Sequence, residues 1–399
     1  MKIKKCIYGV VLGALSLTLA ACYNADKEFP DYEGGTTAYF AYQYPVRTLI
    51  LGNDIYDNTL DNEHKCQIWS TMGGAYGGRN ATVDIVIDET LCNDLYFTDE
   101  GGNAAAPVLP MPQSYYSLLS NSIPYNGEPR GYVEVQFTDA FFNDPSAVEN
   151  TYVIPLRMTK VTGIDSILVG KPREGLTPAR TNSGDWEVPP KDYVLYLVKY
   201  MNPWQGKYIR RGVDNLMENG VSTKVIRKDT TLVSTDLEHY KENPVNQNDE
   251  ICAITTKNMT QAVFPVSVNI GVDASGDIRP SQLCNLVLTF SGNQCTIYCD
   301  DEEIPSGGSG EFIENGSGKA EYKDYRWEGI GKPDQRDILR LTYNVTFKKG
   351  RVIGKHIVNG KEVDWVLEND IEVSSSDTLV VQTRESNQKV FFSPMYVKQ

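Results

Sequence analysis

Hydrophobic and polar positions alternate along most of this chain with the period of two that marks extended strands. Residues Ala81–Asp88 set Val83, Ile85 and Ile87 on one face. In Gly131–Asp139, Val133, Val135 and Phe137 oppose Glu134, Gln136 and Thr138. The aromatic run Thr37–Tyr44 and the segments Thr151–Thr162 and Lys191–Tyr200 continue the theme. Clusters of Gly, Pro, Asn and Asp separate these segments, and no long stretch holds a 3.6-residue period. The pattern predicts an antiparallel sandwich rather than βαβ units.

The proline-rich segment 170–192 reads as a connection, and the domain change is placed near residue 200. Beyond it the strand pattern resumes at Ala262–Ile270, Leu286–Phe290, Thr296–Cys299, Ile338–Phe347, Thr378–Thr383 and Lys389–Val397. The glycine-rich stretches Ser306–Gly310 and Asn315–Gly318 bracket a short segment. A meander of about eight strands fits a closed antiparallel barrel, which leaves no exposed sheet edge. The expected fold is therefore all-β, with a sandwich over 37–200 and a barrel over 201–399.

Composition adds limits. An apolar fraction of 41% and a charged fraction of 23% are ordinary for a globular chain. A formal net charge of −14 offers no basic field to displace counterions from a phosphate backbone, which argues against nucleic acid as a partner. Tyrosine outnumbers phenylalanine 24 to 12, which suits strands and hydrogen-bonding surfaces.

The first residues read as an address. Lys2, Lys4 and Lys5 precede an apolar stretch over 6–21 that is too short for a stable spanning helix. Leu19-Ala20-Ala21-Cys22 resembles a bacterial lipobox. That resemblance implies removal of residues 1–21, acylation of Cys22 and anchorage in outer-membrane lipid through residues 22–36 as a tether. Loss of three lysines takes the formal charge from −14 to −17. Asp26, Glu28, Asp31 and Glu33 behind Cys22 resemble the surface-export signal of Bacteroidota lipoproteins, which implies a cell-exterior orientation.

Two longer stretches carry a family resemblance. The run Ala38-Tyr39-Phe40-Ala41-Tyr42-Gln43-Tyr44-Pro45-Val46-Arg47-Thr48-Leu49, with Leu51-Gly52 and Asp57–Cys66, is similar to a Bacteroidota lipoprotein family. Asn150–Met158 and Lys191–Tyr196 are similar to the same family. Its N-terminal domain also occurs ahead of family 18 glycoside hydrolases. The resemblance implies an immunoglobulin-like sandwich of unknown function in a polysaccharide-utilisation setting. The second half, from Trp204-Gln205-Gly206-Lys207-Tyr208 to Asp377–Val381, resembles the lipocalin-like barrel domain that often accompanies it. The family offers no catalytic residues to carry over. Asp165-Ser166-Ile167, Asp229-Thr230-Thr231 and Asp377-Thr378-Leu379 resemble the Asp-Ser/Thr-apolar pattern of Bacteroidota O-glycosylation, which makes Ser166, Thr230 and Thr378 modification candidates.

Reaction chemistry finds little support. The Asp-x-x-Asp-x-Asp-x-Glu pattern of a family 18 hydrolase does not occur, and Asp300–Glu303 reads as a solvated loop. His64, His239 and His356 are isolated, and Asp273–Asp277 reads as a hairpin turn rather than a calcium loop, so neither metal nor cofactor is expected. With Cys6 removed and Cys22 acylated, Cys66, Cys92, Cys252, Cys284, Cys295 and Cys299 are left as either disulfides or buried thiols. Aromatics remain the route to a ligand, because sugar rings present flat C–H faces on which Trp and Tyr stack. Trp204 reads as a barrel plug, and Tyr325, Trp327 and Trp365 as the binding candidates. The expectation is a non-catalytic, anchored glycan-binding protein working beside outer-membrane uptake proteins. The alternative is a structural or adhesion lipoprotein that contacts such proteins directly.

Overall fold

The structure, a computed structural model, describes residues 31–54, 56–228, 250–314, 337–358, 360–384 and 391–398. Cys22, Thr230, Tyr325 and Trp327 lie outside these residues.

Two main sheets enclose the core of the first domain. One runs in the order β12 (Ser166–Ile167), β1 (Thr37–Tyr39), β3 (Lys65–Gly73), β10 (Arg130–Phe137), β8 (Tyr116–Leu118). The other runs β2 (Val46–Ile50), β15 (Tyr193–Met201), β11 (Tyr152–Thr162), β4 (Thr82–Ile87), β9 (Ser122–Pro124), with β7 (Leu109–Pro110) beside β11. Alternation explains their packing. Ile68, Val133 and Val135 of the first sheet meet Val83, Ile85, Leu156 and Val198 of the second in one core. The aromatic run Thr37–Tyr44 is a strand only as far as Tyr39; beyond it the Phe40 amide donates to the Lys191 carbonyl at 2.8 Å, and the chain crosses to the other sheet. The proline-rich connection holds a small pair, β13 (Lys171–Pro172) with β14 (Trp186–Val188). There the buried Trp186 ring donates to the Ala179 carbonyl at 2.9 Å.

The second domain is a barrel. β16 (Gly206–Glu218), β18 (Glu250–Thr256), β19 (Gln261–Val268), β20 (Gln282–Ser291), β21 (Gln294–Cys299), β22 (Ser306–Ile313), β23 (Ile338–Phe347) and β26 (Ile371–Thr383) pair in sequence. β26 returns to β16, so these eight described strands close antiparallel. The edge of β16 away from β26 is shared: residues 206–210 pair with β18 and 212–218 with β17 (Val221–Lys228). The interior is filled by Phe264, Leu286, Leu288, Leu341 and Phe347. One charged pair is buried with them. Arg210 Nε donates to Asp377 at 3.0 Å, and Tyr343 donates to the same carboxylate oxygen at 3.0 Å. Burial pulls the Arg210 guanidinium down, but the Asp377, Tyr343 and Glu250 charges and the Asp377 hydrogen bond together outweigh it, and the net shift is upward.

One sequence expectation changes, and two points that the sequence leaves open take a definite form. The glycine-rich Ser306–Gly310 begins strand β22. A Cβ at Gly308 would meet the Thr342 carbonyl oxygen at 2.4 Å, and one at Gly310 the Leu341 Cδ2 at 2.5 Å, so glycine is what lets this strand approach β23. The C-terminal segment leaves the barrel: β27 (Pro394–Tyr396) joins β5 (Leu95–Thr98) and β6 (Ala104–Pro107) in a sheet of the first domain. The six described cysteines are all free thiols.

Between the barrel strands β23 and β26, β24 (Val352–Val358) and β25 (Lys361–Val366) form a hairpin. It folds over the β19–β20 loop, where Gln282 donates to the Ile353 carbonyl at 3.0 Å.

Candidate functional site

Strand β3 buries Cys66, Ile68 and Met72, so the same alternation turns Gln67, Trp69 and Thr71 outward. Strand β10 does likewise: Val133, Val135 and Phe137 face the core, while Arg130, Tyr132, Glu134 and Gln136 face out. The register places Tyr132 directly opposite Trp69, Glu134 opposite Gln67 and Arg130 opposite Thr71. On the next strand, Tyr39 stands opposite Thr71.

The result is an open aromatic face. Trp69 keeps 42% of its surface exposed and Tyr132 keeps 40%. Their ring centroids lie 4.6 Å apart at 45°, and the Arg130 guanidinium sits 4.8 Å from the Trp69 centroid. Cross-strand aromatic pairs stabilise a sheet by ~0.2–1 kcal/mol, which explains the contact but not the exposure. Around the rings stand groups that bond hydroxyls: the Glu134 carboxylate, with Lys65 3.7 Å away, and the Gln67 amide. A hydrogen bond to Glu63, followed by the Glu63 charge, raises the Lys65 pKa and keeps it cationic. Stacking surface flanked by an amide and both charge signs can hold a flat, hydroxylated chain lying along the sheet.

The sequence candidates are not brought together. Trp365 is half-buried in the β24–β25 hairpin, packs on the barrel core and stacks on His356 with centroids 4.8 Å apart at 16°. One ring face is therefore already occupied. Tyr325 and Trp327 lie outside the described residues. Ser166 is exposed on β12 and its hydroxyl meets that of Thr37 at 2.9 Å. Thr378 is half-buried in mid-strand between Arg340 and Arg211, beside the buried Asp377. Trp204 is buried and stacks on Phe290 at 3.8 Å and 5°. Among the described residues no group of three His, Cys, Asp or Glu side chains could hold a metal ion.

Trp69 and Tyr132 were legible in principle. Both sit on the polar side of an alternating strand, and that position is the signal for an exposed aromatic.

Residues 203–385 match a family model described as Domain of unknown function (DUF5627). Residues 32–165 match a model for an N-terminal domain. A solved protein of unknown function from Bacteroides ovatus is 35% identical, with 92% of this chain and 100% of that chain covered and a TM-score of 0.71. The chain belongs to the same family as that protein. Two other solved Bacteroides ovatus proteins are more distant. A multidomain protein including DUF1735 is 10% identical, with 86% of this chain and 94% of that chain covered and a TM-score of 0.35. A protein of unknown function is 11% identical, with 89% and 95% covered and a TM-score of 0.34. No curated protein matches the chain.

Proposed function

We propose that this protein is a non-catalytic, lipid-anchored surface protein that binds polysaccharide through the outward face of its first sheet. The observation that carries the reading is the exposed Trp69–Tyr132 pair, set beside Arg130, Gln67 and Glu134 on an open strand face. An open face suits the side of a long glycan chain, whereas a small ligand needs an enclosing pocket. The lipobox at Cys22 and the acids behind it support anchorage in the outer membrane with the domains outside the cell. A protein so placed would concentrate polysaccharide near outer-membrane uptake proteins. Tyr325, Trp327 and Trp365 stay as secondary candidates within this reading.

A glycan array probed with the purified full chain tests it. Binding to one class of glycan, lost in Trp69→Ala, supports the reading. An empty array, together with sugar-insensitive capture of an outer-membrane protein, would replace it with the adhesion alternative.

A further inference from the structure

The two ends of the barrel are built differently. At the end next to the sandwich, where β16 begins, Trp204 lies flat on Phe290. At the far end, the β16–β17 turn, the β19–β20 loop and the approach to β26 surround a cavity of about 410 Å³. That size falls within the ~300–1,000 Å³ range of small-molecule sites.

The floor of this cavity is apolar. Leu216, Ile270 and Ile371 line it and are continuous with the barrel core. Its wall is an ion pair: Arg279, only 7% exposed, grips both Glu218 oxygens at 2.8 and 3.0 Å. Asn369 donates to Glu218 Oε1 at 3.2 Å, and Arg279 also donates to the Ile270 carbonyl at 3.2 Å. The rim adds Thr223 and the carboxylates Asp273 and Glu368.

This lining restricts the ligand. Arg279 is the only basic side chain among the described lining residues, and Glu218 already engages it. Among the described residues an anion would meet the rim carboxylates with no free cation to bind. An apolar floor below hydrogen-bond acceptors suits a ring with one C–H face and hydroxyl donors around its edge. We propose that the cavity is a second binding site, for the terminal residue of a neutral saccharide. The proposal stands apart from the reading of the Trp69–Tyr132 face, since the two sites lie in different domains.

The test uses the full chain in a non-glycosidic detergent, titrated by calorimetry and saturation-transfer NMR. The probes are the methyl glycosides of glucose, galactose, mannose and xylose, with glucuronate as the anionic counterpart. At least one neutral glycoside is expected to bind, with glucuronate about tenfold weaker or worse. Ala274→Trp puts an indole at the cavity mouth from an exposed turn, and is expected to weaken binding about tenfold. Trp69→Ala is expected to leave this binding within about twofold. Glu368→Lys, also exposed, is expected to narrow the gap between glucuronate and the neutral glycoside. The proposal is overturned if none of the four glycosides binds, if glucuronate binds as well as they do, or if binding survives Ala274→Trp. Loss in Trp69→Ala alone would move the binding to the sandwich face and equally overturn it.

Discussion

The Arg384 guanidinium donates to the Asn202 carbonyl at 2.8 Å, and this contact ties the end of the last barrel strand to the hinge between the domains. The same side chain reaches the Leu51 carbonyl at 3.1 Å and the Asn53 carbonyl at 3.0 Å, both in the first domain. Asn202 in turn bonds barrel residues, its amide donating to the Asn258 and Gln261 carbonyls. One buried cation thus satisfies carbonyls from both domains. Arg384→Met should leave these acceptors without their donor, at a cost of about 2–3 kcal/mol. Calorimetry should show a single melting transition in the wild type and two in the variant. An unchanged single transition would show that Arg384 does not couple the domains.

The chain end is a second tie. Phe392 sits among Leu91, Leu95, Phe97, Val108 and Leu197, far from its neighbours in sequence. Its backbone amide donates to the Tyr44 carbonyl at 3.0 Å. Phe392→Ala should destabilise the folded chain by about 3 kcal/mol, read as a lower midpoint of its shared urea transition. An unchanged midpoint would count against this assignment.

Acid should loosen the cavity wall. Hydrogen bonding from Arg279 holds Glu218 below the usual carboxylate range, against the opposing push of its partial burial. Because the folded pKa lies below the unfolded one, the stabilisation is complete above the unfolded value of about 4.3 and drains as pH falls through the folded value. Between about pH 5 and pH 3, wild-type urea midpoints should therefore fall more steeply than those of Glu218→Gln. Parallel curves would contradict the linkage.

The thiols should be inert while the protein is folded. Burial pushes Cys66, Cys92, Cys252, Cys284 and Cys295 each up to about 12, and raises Cys299 as well. At pH 8 a thiol reagent should label none of these six in the native chain and all six in denaturant. Fast native labelling at any of them would show an opening that the packing does not explain.

Alternation made much of this fold readable. Val83, Ile85 and Ile87 marked β4, and Val133, Val135 and Phe137 marked β10, because each sheet has one buried face. What stayed hidden depended on distant partners. Gly308 and Gly310 look like loop residues until the β23 backbone is placed against them. The pairing of Pro394–Tyr396 with Leu95–Phe97 joins segments about three-quarters of the chain apart, and nothing local to either segment announces it. The site followed the same division. Glu362 and Asp364 give Trp365 polar neighbours in the sequence, but the hairpin folds that ring onto His356 and the barrel. Strand parity would have favoured Trp69.

The central claim is that glycan rests on the Trp69–Tyr132 face. Affinity electrophoresis of the full chain through gels containing polysaccharides tests it most directly, with wild type, Trp69→Ala and Tyr132→Ala run side by side. At least one polysaccharide should retard the wild type, and each substitution should weaken retention about tenfold or more while melting stays nearly unchanged. Retention of both variants equal to wild type, or no retention of the wild type by any polysaccharide, would contradict the account.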